Sequence, residues 1–472
     1  MAMLLEEIEK ICDCRVAENL KNKEIKGLAY DSRKVSENFI FFSIKGLKTD
    51  GRFFVDDAFS KKAIAVISQD CNELSNCIQV KNIRKCMGEV ANYFYKEPSK
   101  SINLVGITGT NGKTTTTYLL NKIFERSGFI GTTGYCYNNV KNKIANTTPE
   151  SIDTNEILVE MKPFVDYVFM EVSSHSISFE RIAGLDFKLK VFTNLSQDHL
   201  DFYHTMENYG KAKASFFREN DFRVVNIDDD LGKTLFKKKY TITYGFNTAD
   251  IYPVDYAFDI NGLYLKLNVF GDIYEIKSHL LGKFNIYNIM AAIGCSVYFG
   301  KPKEQILKAL FNFKNVPGRL EKFIKNGRLA VVDYAHTDDA IKNVLTTLRQ
   351  ITKGKLIVIF GAGGDRDKTK RPKMGKIAND LADIVIITND NPRTEDPDSI
   401  ISDILSGIDK HQKITIEKDR KLAIIKGLEM SREGDCVAIL GKGHEDYQII
   451  GSKTYHFDDR EVVKDFWGVE SK

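Results

Sequence analysis

The chain has 472 residues, about three domains' worth, which excludes a single continuous core. Its 43% hydrophobic and 28% charged residues describe an ordinary globular protein, and a formal net charge of +4 is too small over this length to advertise a nucleic-acid surface. No apolar run approaches the roughly 20 residues of a membrane span. The acidic start MAMLLEEIEKICDC does not read as a secretory signal, so a cytoplasmic protein without membrane or nucleic-acid partners is expected. Eight cysteines, at 12, 14, 71, 77, 86, 136, 295 and 436, include no CxxC pair and are read as reduced thiols rather than zinc ligands.

Along the chain, short β-branched runs alternate with helical periods, as in LVGIT before KTTTTYLLNKIFERSG, or KLIVIF and DIVIIT around KRPKMGKIANDLA. This alternation predicts an α/β protein with mostly parallel sheets. Pro98 and two serines in KEPSKSINLVG, and Pro317-Gly318 in NVPGRLEKF, mark boundaries. The expected modules are therefore a smaller N-terminal α/β domain over 1–99, a central domain over 100–317 and a C-terminal Rossmann-like domain over 318–472.

The segment LVGITGTNGKTTTTYLL reads as strand, glycine-rich turn and helix, the order a phosphate loop needs. Backbone N–H groups around Gly109, Thr110, Asn111 and Gly112 would surround an anion, Lys113 would reach terminal phosphates, and Thr114 would hold magnesium. The strict spacing is broken: Ile107 stands where GxxxxGK[ST] needs glycine, and the glycines fall at 106, 109 and 112. In VFMEVSSHSI a strand ends on Glu171, and in FTNLSQDHLDFY another runs into Asp198 and His199 before a helix holding Lys211 and Lys213. Acid and imidazole at strand ends suit a divalent cation beside phosphate. In LLGKFNIYNIMAA, Asn285 and Asn288 open a helix, where their amides either cap it or read a base edge.

The last third places VVDYAHT, FGAGGDRDKTKRP, TNDNPRTEDP and ILGKGHEDYQ where strands run out into loops. Arg366, Arg371 and Arg393 offer planar forks for carboxylates, while Asp390, Asn391 and Glu445 accept from an ammonium. Such loops suit a zwitterion; the plainer reading is a surface salt-bridge network.

Together these motifs resemble the Mur ligases of peptidoglycan synthesis, most closely the branch that adds the third peptide residue. DSRKV at 31–35 and KGLKTDGRFF at 45–54 resemble that branch's uridine-nucleotide module, and GTNGKT, EVSSH, DHLDF, GKFNIYN, DYAHT, DNPR and GKGHE follow in family order. The resemblance implies an ATP-dependent ligase that adds meso-diaminopimelate, or an analogue such as meso-lanthionine, to UDP-N-acetylmuramoyl-L-alanyl-D-glutamate through an acyl phosphate. It implies that Ser32, Thr49 and Asp50 touch the UDP portion and that Thr147, Thr148, Ser173 and Arg181 hold the muramoyl-peptide. Thr115, Asn285, Asn288 and Arg319 would join residues 109–114 in binding ATP. Two magnesium ions would be held by Thr114, Glu171, His199 and Lys213, the last as a carbamate, with Lys113 beside them in the catalytic set. Arg366, Asp390, Asn391, Arg393, Gly441 and Glu445 would bind the diamino acid, and a monomer is implied. Phe179 stands where the family often has a polar residue, and Asp338 where proline is usual. The alternatives are the L-lysine-adding ligase and, in a different class, a nucleotide-dependent switch protein.

Overall fold

A computed structural model describes residues 3–46, 49–71, 76–409 and 414–471, so Leu47 and Lys48 of the KGLKTDGRFF motif lie outside the described residues. The chain divides into two compact units, one of Met1–Ile107, Phe124–Lys190 and Ser215–Asp221, the other of Thr108–Ile123, Val191–Ala214 and Phe222–Lys472.

In the first unit, β1 (Met3–Leu4) pairs antiparallel with β2 (Glu24–Ile25), followed by a parallel sheet in the order β3 (Gly27–Ala29), β4 (Phe39–Phe42), β5 (Ala65–Ser68), β6 (Cys77–Gln79). Every residue of β5 is buried, the pattern of a parallel strand covered on both faces. The helix Ile83–Phe94, capped by Asn82 accepting from the Lys85 N–H at 3.1 Å, lays Ile83, Met87 and Val90 on a core with Ile40, Phe42 and Ile67. Here the reading of reduced thiols is corrected. Cys12 is bonded to Cys86 and Cys71 to Cys77, with Cα separations of 5.4 and 5.6 Å inside the disulfide range. Cys14, Cys136, Cys295 and Cys436 are free thiols.

The unit also holds β7 (Asn103–Thr108), β8 (Ser127–Gly131), β9 (Gly134–Tyr137), β10 (Val140–Asn142) and β11 (Tyr167–Glu171). Their order is β10-β9-β8-β11-β7, with β8, β11 and β7 parallel and β9 and β10 an antiparallel edge.

The chain passes into the second unit after Ile107 and again within β12 (Leu189–Phe192). Strands β13 (Arg223–Asn226), β14 (Thr241–Tyr244) and β15 (Ile251–Asp259) run parallel; β15 then turns into an antiparallel meander with β16 (Gly262–Val269) and β17 (Asp272–Ser278). The last sheet has the order β18 (Glu321–Lys325), β19 (Arg328–Asp333), β23 (Cys436–Leu440), β20 (Leu356–Phe360), β21 (Ile384–Ile387), β22 (Ile414–Ile416), with β18 alone antiparallel. Alternate residues feed two cores: Leu329, Val331, Val358 and Phe360 on one face, Ala330, Val332, Ile357 and Ile359 on the other. A hairpin of β24 (Tyr447–Ile450) and β25 (Lys453–His456) follows. The expected α/β class with parallel-rich sheets is therefore observed. No helix among the described residues is long and apolar enough to cross a membrane.

Candidate active site

The phosphate loop leaves β7 and enters the helix Lys113–Ile123 through two glycines in left-handed backbone, Gly109 at φ +151° and Gly112 at +87°. A Cβ at Gly109 would lie 1.8 Å from Thr193 Oγ1, and one at Gly112 would lie 2.3 Å from Asn288 Oδ1. The end of β12 braces the loop: Thr193 Oγ1 donates to the Asn111 carbonyl at 2.6 Å, Asn194 Oδ1 accepts from the Asn111 N–H at 2.9 Å, and the Thr110 N–H donates to the Asn194 carbonyl at 2.8 Å. Lys113 Nζ donates to the carbonyls of Gly109 and Thr110 at 2.8 and 2.9 Å, which folds the ammonium over its own loop. Thr114 and Thr115 are buried in the first helical turn. Asn285 and Asn288 are buried and bonded to each other at 2.8 Å, and Asn285 also donates to the Leu281 carbonyl at 2.7 Å. Asn285 is not the cap of this helix, whose N-cap Gly282 makes no side-chain bond, and Asn288 presses on the phosphate loop. Thr193 and Asn194 were missed; their signal was a polar pair at the mouth of an apolar strand.

Tyr209 links this loop to Lys213. Its hydroxyl is 3.2 Å from Thr110 Oγ1, and its ring lies under the Lys213 ammonium, 4.6 Å from centroid to Nζ. Both lie on the helix Met206–Ala214 at i and i+4, on one buried face, whereas Lys211 is exposed and paired to Glu207. Burial, reinforced by the charge of Lys113, holds the Lys213 ammonium well below the ordinary lysine range, with Asp198 acting the other way. Burial likewise lowers the His199 imidazole, against Asp198, whose carboxylate is 3.4 Å away. Asp198 itself is held low: burial opposes ionisation, but His199, His336 and Lys370 outweigh it. Among the described residues no group of three or more His, Cys, Asp and Glu side chains is placed to hold a metal ion. Of the expected set, Thr114, His199 and Lys213 belong to the second unit and Glu171 to the first. Oxygen donors with an imidazole, and an anionic oxygen if Lys213 takes up carbon dioxide, are of the kind that suits magnesium.

In the first unit, Glu171 ends β11 in register with Ile107. Thr132 donates to both its carboxylate oxygens, N–H to Oε1 and Oγ1 to Oε2, each at 3.0 Å. Gly131 is required there, because a Cβ would lie 2.2 Å from Glu171 Oε1. Thr147 Oγ1 is 3.2 Å from Thr132 Oγ1, and Thr148 Oγ1 is 2.9 Å from the Glu171 carbonyl and 3.3 Å from Ser173 Oγ. Ser173 also caps the helix Ser174–Ser178. Arg181 donates to Glu150 at 2.8 Å and to the Thr148 carbonyl at 3.1 Å. The structure therefore brings together Glu171, Thr147, Thr148, Ser173 and Arg181, and adds Thr132 and Glu150, which the sequence did not single out. The Phe179 ring lies near the guanidiniums of both Arg181 and Arg84. In the same unit Ser32 is buried with its carbonyl accepting from Lys61 at 3.0 Å, Thr49 is exposed, and Asp50 accepts from the Arg52 N–H and guanidinium, which hold its carboxyl below the usual range.

At the C-terminal ends of β21 and β23, Asn391 donates to Glu445 at 3.0 Å, and the buried Lys442 donates to Glu445 at 3.2 Å and to Asn391 Oδ1 at 3.4 Å. Burial raises the Glu445 carboxyl, against Lys442. Gly441, at φ +115°, leaves room for the Asp390 carboxylate, which would be 2.6 Å from a Cβ. Arg393 donates to the Gly364 carbonyl at 2.7 Å, and its guanidinium flanks Gly363 together with the Arg366 side chain. Among the described residues no carboxylate ion-pairs with Arg366 or Arg393. Arg371 corrects the reading that grouped it with them. Fully buried, it forms a fork on Glu395 at 2.8 Å twice and reaches Asp403 at 2.8 Å, so it anchors the DNPRTEDP loop. Arg319 stacks on Tyr334, 4.6 Å from the ring centroid. Asp338 opens the helix Asp338–Ile351, whose N-cap Thr337 accepts from Ala340; an acid in the first turn suits the helix dipole, and replaces proline without loss of the start. A further residue, Arg420, donates to the carbonyls of Asn389 and Leu440, the residues just before Asp390 and Gly441.

This arrangement agrees with what the chain matches. The Mur ligase family catalytic domain matches residues 24–95, the Mur ligase middle domain 107–296 and the Mur ligase glutamate ligase domain 318–443. The chain is 43% identical to a protein of Clostridium botulinum named UDP-N-acetylmuramoyl-L-alanyl-D-glutamate--2,6-diaminopimelate ligase, covering 94% of this chain and 95% of that one. It is 43% identical to the protein of the same name from Aquifex aeolicus, covering 94% of each. A solved structure of a ligase of that name superposes with a TM-score of 0.72 at 32% identity, over 99% of both chains. Three consecutive domain matches and relatives at this identity over nearly the full length establish that the chain belongs to the Mur ligase family.

Proposed function

We propose that this protein is an ATP-dependent ligase that joins meso-diaminopimelate to the D-glutamate γ-carboxylate of UDP-N-acetylmuramoyl-L-alanyl-D-glutamate in the cytoplasm. The observation that carries the choice of amine is the pair Arg366 and Arg393 around Gly363, with no carboxylate partner among the described residues, beside an acidic and amide cluster of Asp390, Asn391 and Glu445. A distal carboxylate would complete the two guanidiniums, and the distal ammonium would meet the acids. L-Lysine would leave the arginines unanswered, a loss on the order of 1–3 kcal/mol.

A carboxylate does not acylate an amine directly, because oxide would have to leave. The γ-carboxylate oxygen attacks the ATP γ-phosphorus, ADP leaves, and an acyl phosphate forms; the amine then attacks the acyl carbon, and phosphate departs as the nitrogen loses a proton. The protein's work is positioning and charge screening. The phosphate loop, braced by Thr193 and Asn194, would take the phosphates of the nucleotide, with Lys113 at the terminal ones. Arg181, Thr147, Thr148 and Ser173 orient the peptide, and Arg319 and Asn288 serve the nucleotide. Thr114, Glu171, His199 and carbamylated Lys213 would hold magnesium, which when bound neutralises the converging anions. The reading is tested by phosphate release from ATP with the nucleotide dipeptide and meso-diaminopimelate, meso-lanthionine or L-lysine. Release that requires the nucleotide dipeptide and a distal carboxylate supports it. Preference for L-lysine overturns the role of Arg393, and release indifferent to any amine overturns the ligase reading in favour of a switch.

A further inference from the structure

Arg84 sits on the second residue of the helix Ile83–Phe94 and is mostly buried, with 17% of its side chain exposed. One arm of its guanidinium donates to Glu150 Oε2 at 3.1 Å, while the other donates to the Lys45 carbonyl at 3.3 Å. Lys45 is bridged backbone to backbone with Asp50, and the Gly46 N–H donates to the Thr49 carbonyl at 2.8 Å, so Lys45 and Gly46 are tied directly to the residues Thr49 and Asp50. The other carboxylate oxygen of Glu150 accepts from Arg181 Nε at 2.8 Å, and Arg181 also holds the Thr148 carbonyl at 3.1 Å. The Phe179 ring packs near both arginines, its centroid 5.0 Å from the Arg84 guanidinium and 5.9 Å from that of Arg181.

We propose that Arg84 is a positioning residue for the ligase reaction, setting the loop that takes the uridine nucleotide and the arginine that takes the muramoyl-peptide in one register through Glu150. A guanidinium suits the task because its planar fork reaches two acceptors in fixed geometry, which an ammonium does not. Phe179, in the place of a polar contact, packs its ring near both guanidiniums of this relay. Binding of the uridine end then orders the peptide end, so that the γ-carboxylate arrives aligned for transfer. The inference rests on the function proposed above. Turnover by the unsubstituted enzyme tests that reading, and the variants test this one.

The experiment compares Arg84→Met and Arg84→Lys with the unsubstituted enzyme, measuring KM for each of the three substrates, kcat, the inhibition constant of UDP against the nucleotide dipeptide, and thermal unfolding. In Arg84→Met the nucleotide-dipeptide KM and the UDP inhibition constant are expected to rise about tenfold and kcat to fall, while KM for ATP and the diamino acid stays within about twofold. Arg84→Lys, which keeps a cation beside Glu150 but not both contacts, is expected to fall between, with at least about a threefold rise in both nucleotide constants. A merely structural role would lower kcat with the active fraction and leave every KM in place, which would overturn the proposal. An unchanged UDP inhibition constant would confine Arg84 to the peptide end and also overturn it. If Arg84→Met does not fold, the same criteria applied to Arg84→Lys decide.

Discussion

Asp459→Ala should destabilise the C-terminal sheet far beyond an ordinary surface change. Arg420 and Asp459 are both fully buried and meet in a bidentate pair, Nε to Oδ1 and Nη2 to Oδ2, each at 2.7 Å. Although burial opposes the charge on Arg420, Asp459 keeps it above its ordinary value, so the guanidinium stays ionised. Removing the carboxylate leaves that cation without its counter-charge in an apolar interior, a loss of about 3–5 kcal/mol. Trp467, the single tryptophan, ends the helix that Asp459 begins, so its fluorescence reports unfolding of this region in urea. At a denaturant slope of roughly 1–3 kcal/mol per molar, the midpoint should fall by more than about 1 M. A shift under about 0.3 M would refute the reasoning. Arg420→Met with Asp459→Leu should recover most of the midpoint, because removing both charges removes the desolvation burden as well. The same double variant should raise KM for the diamino acid, since the Asn389 and Leu440 carbonyls lose the donor that sets the residues beside them. A double variant as unstable as Asp459→Ala would mean that the pair is favourable in itself, contrary to this account.

Gly109→Ala should lower kcat by more than about a hundredfold, because its methyl group collides with the hydroxyl that braces the Asn111 carbonyl; single-turnover phosphate release measures it. Thr193→Val should lower it less, as it removes the brace and leaves the space. Mass spectrometry under bicarbonate should find Lys213 heavier by one carbon dioxide, and Lys213→Arg, whose side chain stays charged, should lose both the adduct and turnover. The contribution of His444 to stability should also fall between pH 6.5 and 4.5. His444 is held neutral when folded, its imidazole lowered from 6.5 to about 3 by burial, Arg319 and Arg460. Below pH 6.5 the unfolded chain takes a proton that the folded one refuses, so stability drops by up to about 1.4 kcal/mol per pH unit until the folded imidazole also titrates. Glu395, held low by Arg371 and Lys368, contributes stability that is lost only as pH falls below its ordinary 4.5, outside this window. His444→Gln should flatten the pH dependence of the urea midpoint; an unchanged slope would deny His444 that role.

The phosphate loop was legible because its signal is local: strand, turn and helix are contiguous, and the glycines answer to backbone angles. Its irregular spacing was explained only by packing. Gly106, counted toward the loop, lies inside β7, where its missing Cβ admits the rings of Phe216 and Phe187, and the buried Ile107 is a strand residue. Residues that act on a motif from elsewhere were silent in sequence, since Thr193 reaches Asn111 across 82 positions and Arg84 reaches Glu150 across 66. The cysteines failed for the same reason. Cys12 and Cys86 are 74 residues apart, and nothing in their spacing shows that a helix returns one beside the other. The meander β15–β17 was absorbed into a general expectation of parallel sheet, although the alternation of buried and exposed residues along β16 and β17 is that of a half-solvated antiparallel ribbon.

The arginines show why residue type alone does not locate a site. Arg371, Arg393 and Arg420 lie within 50 positions, in charged stretches of the sequence, and any of them could be read as a carboxylate receptor. What separates them is how fully the fold has already answered each charge. Arg371 meets Glu395 and Asp403, and Arg420 meets Asp459, with no exposed surface on either guanidinium side chain. Arg393 meets only a backbone carbonyl, and its backbone is held in the left-handed region at φ +55° by pairing to β24. A charge that is answered internally serves the loop, whereas one kept in a strained, fixed position with no carboxylate partner among the described residues is stabilised most by an anion from outside. On the function proposed above, the buried pairs supply the rigidity by which Arg366 and Arg393 would discriminate: a loop free to relax would let the two side chains move apart, and the distal carboxylate would lose its advantage.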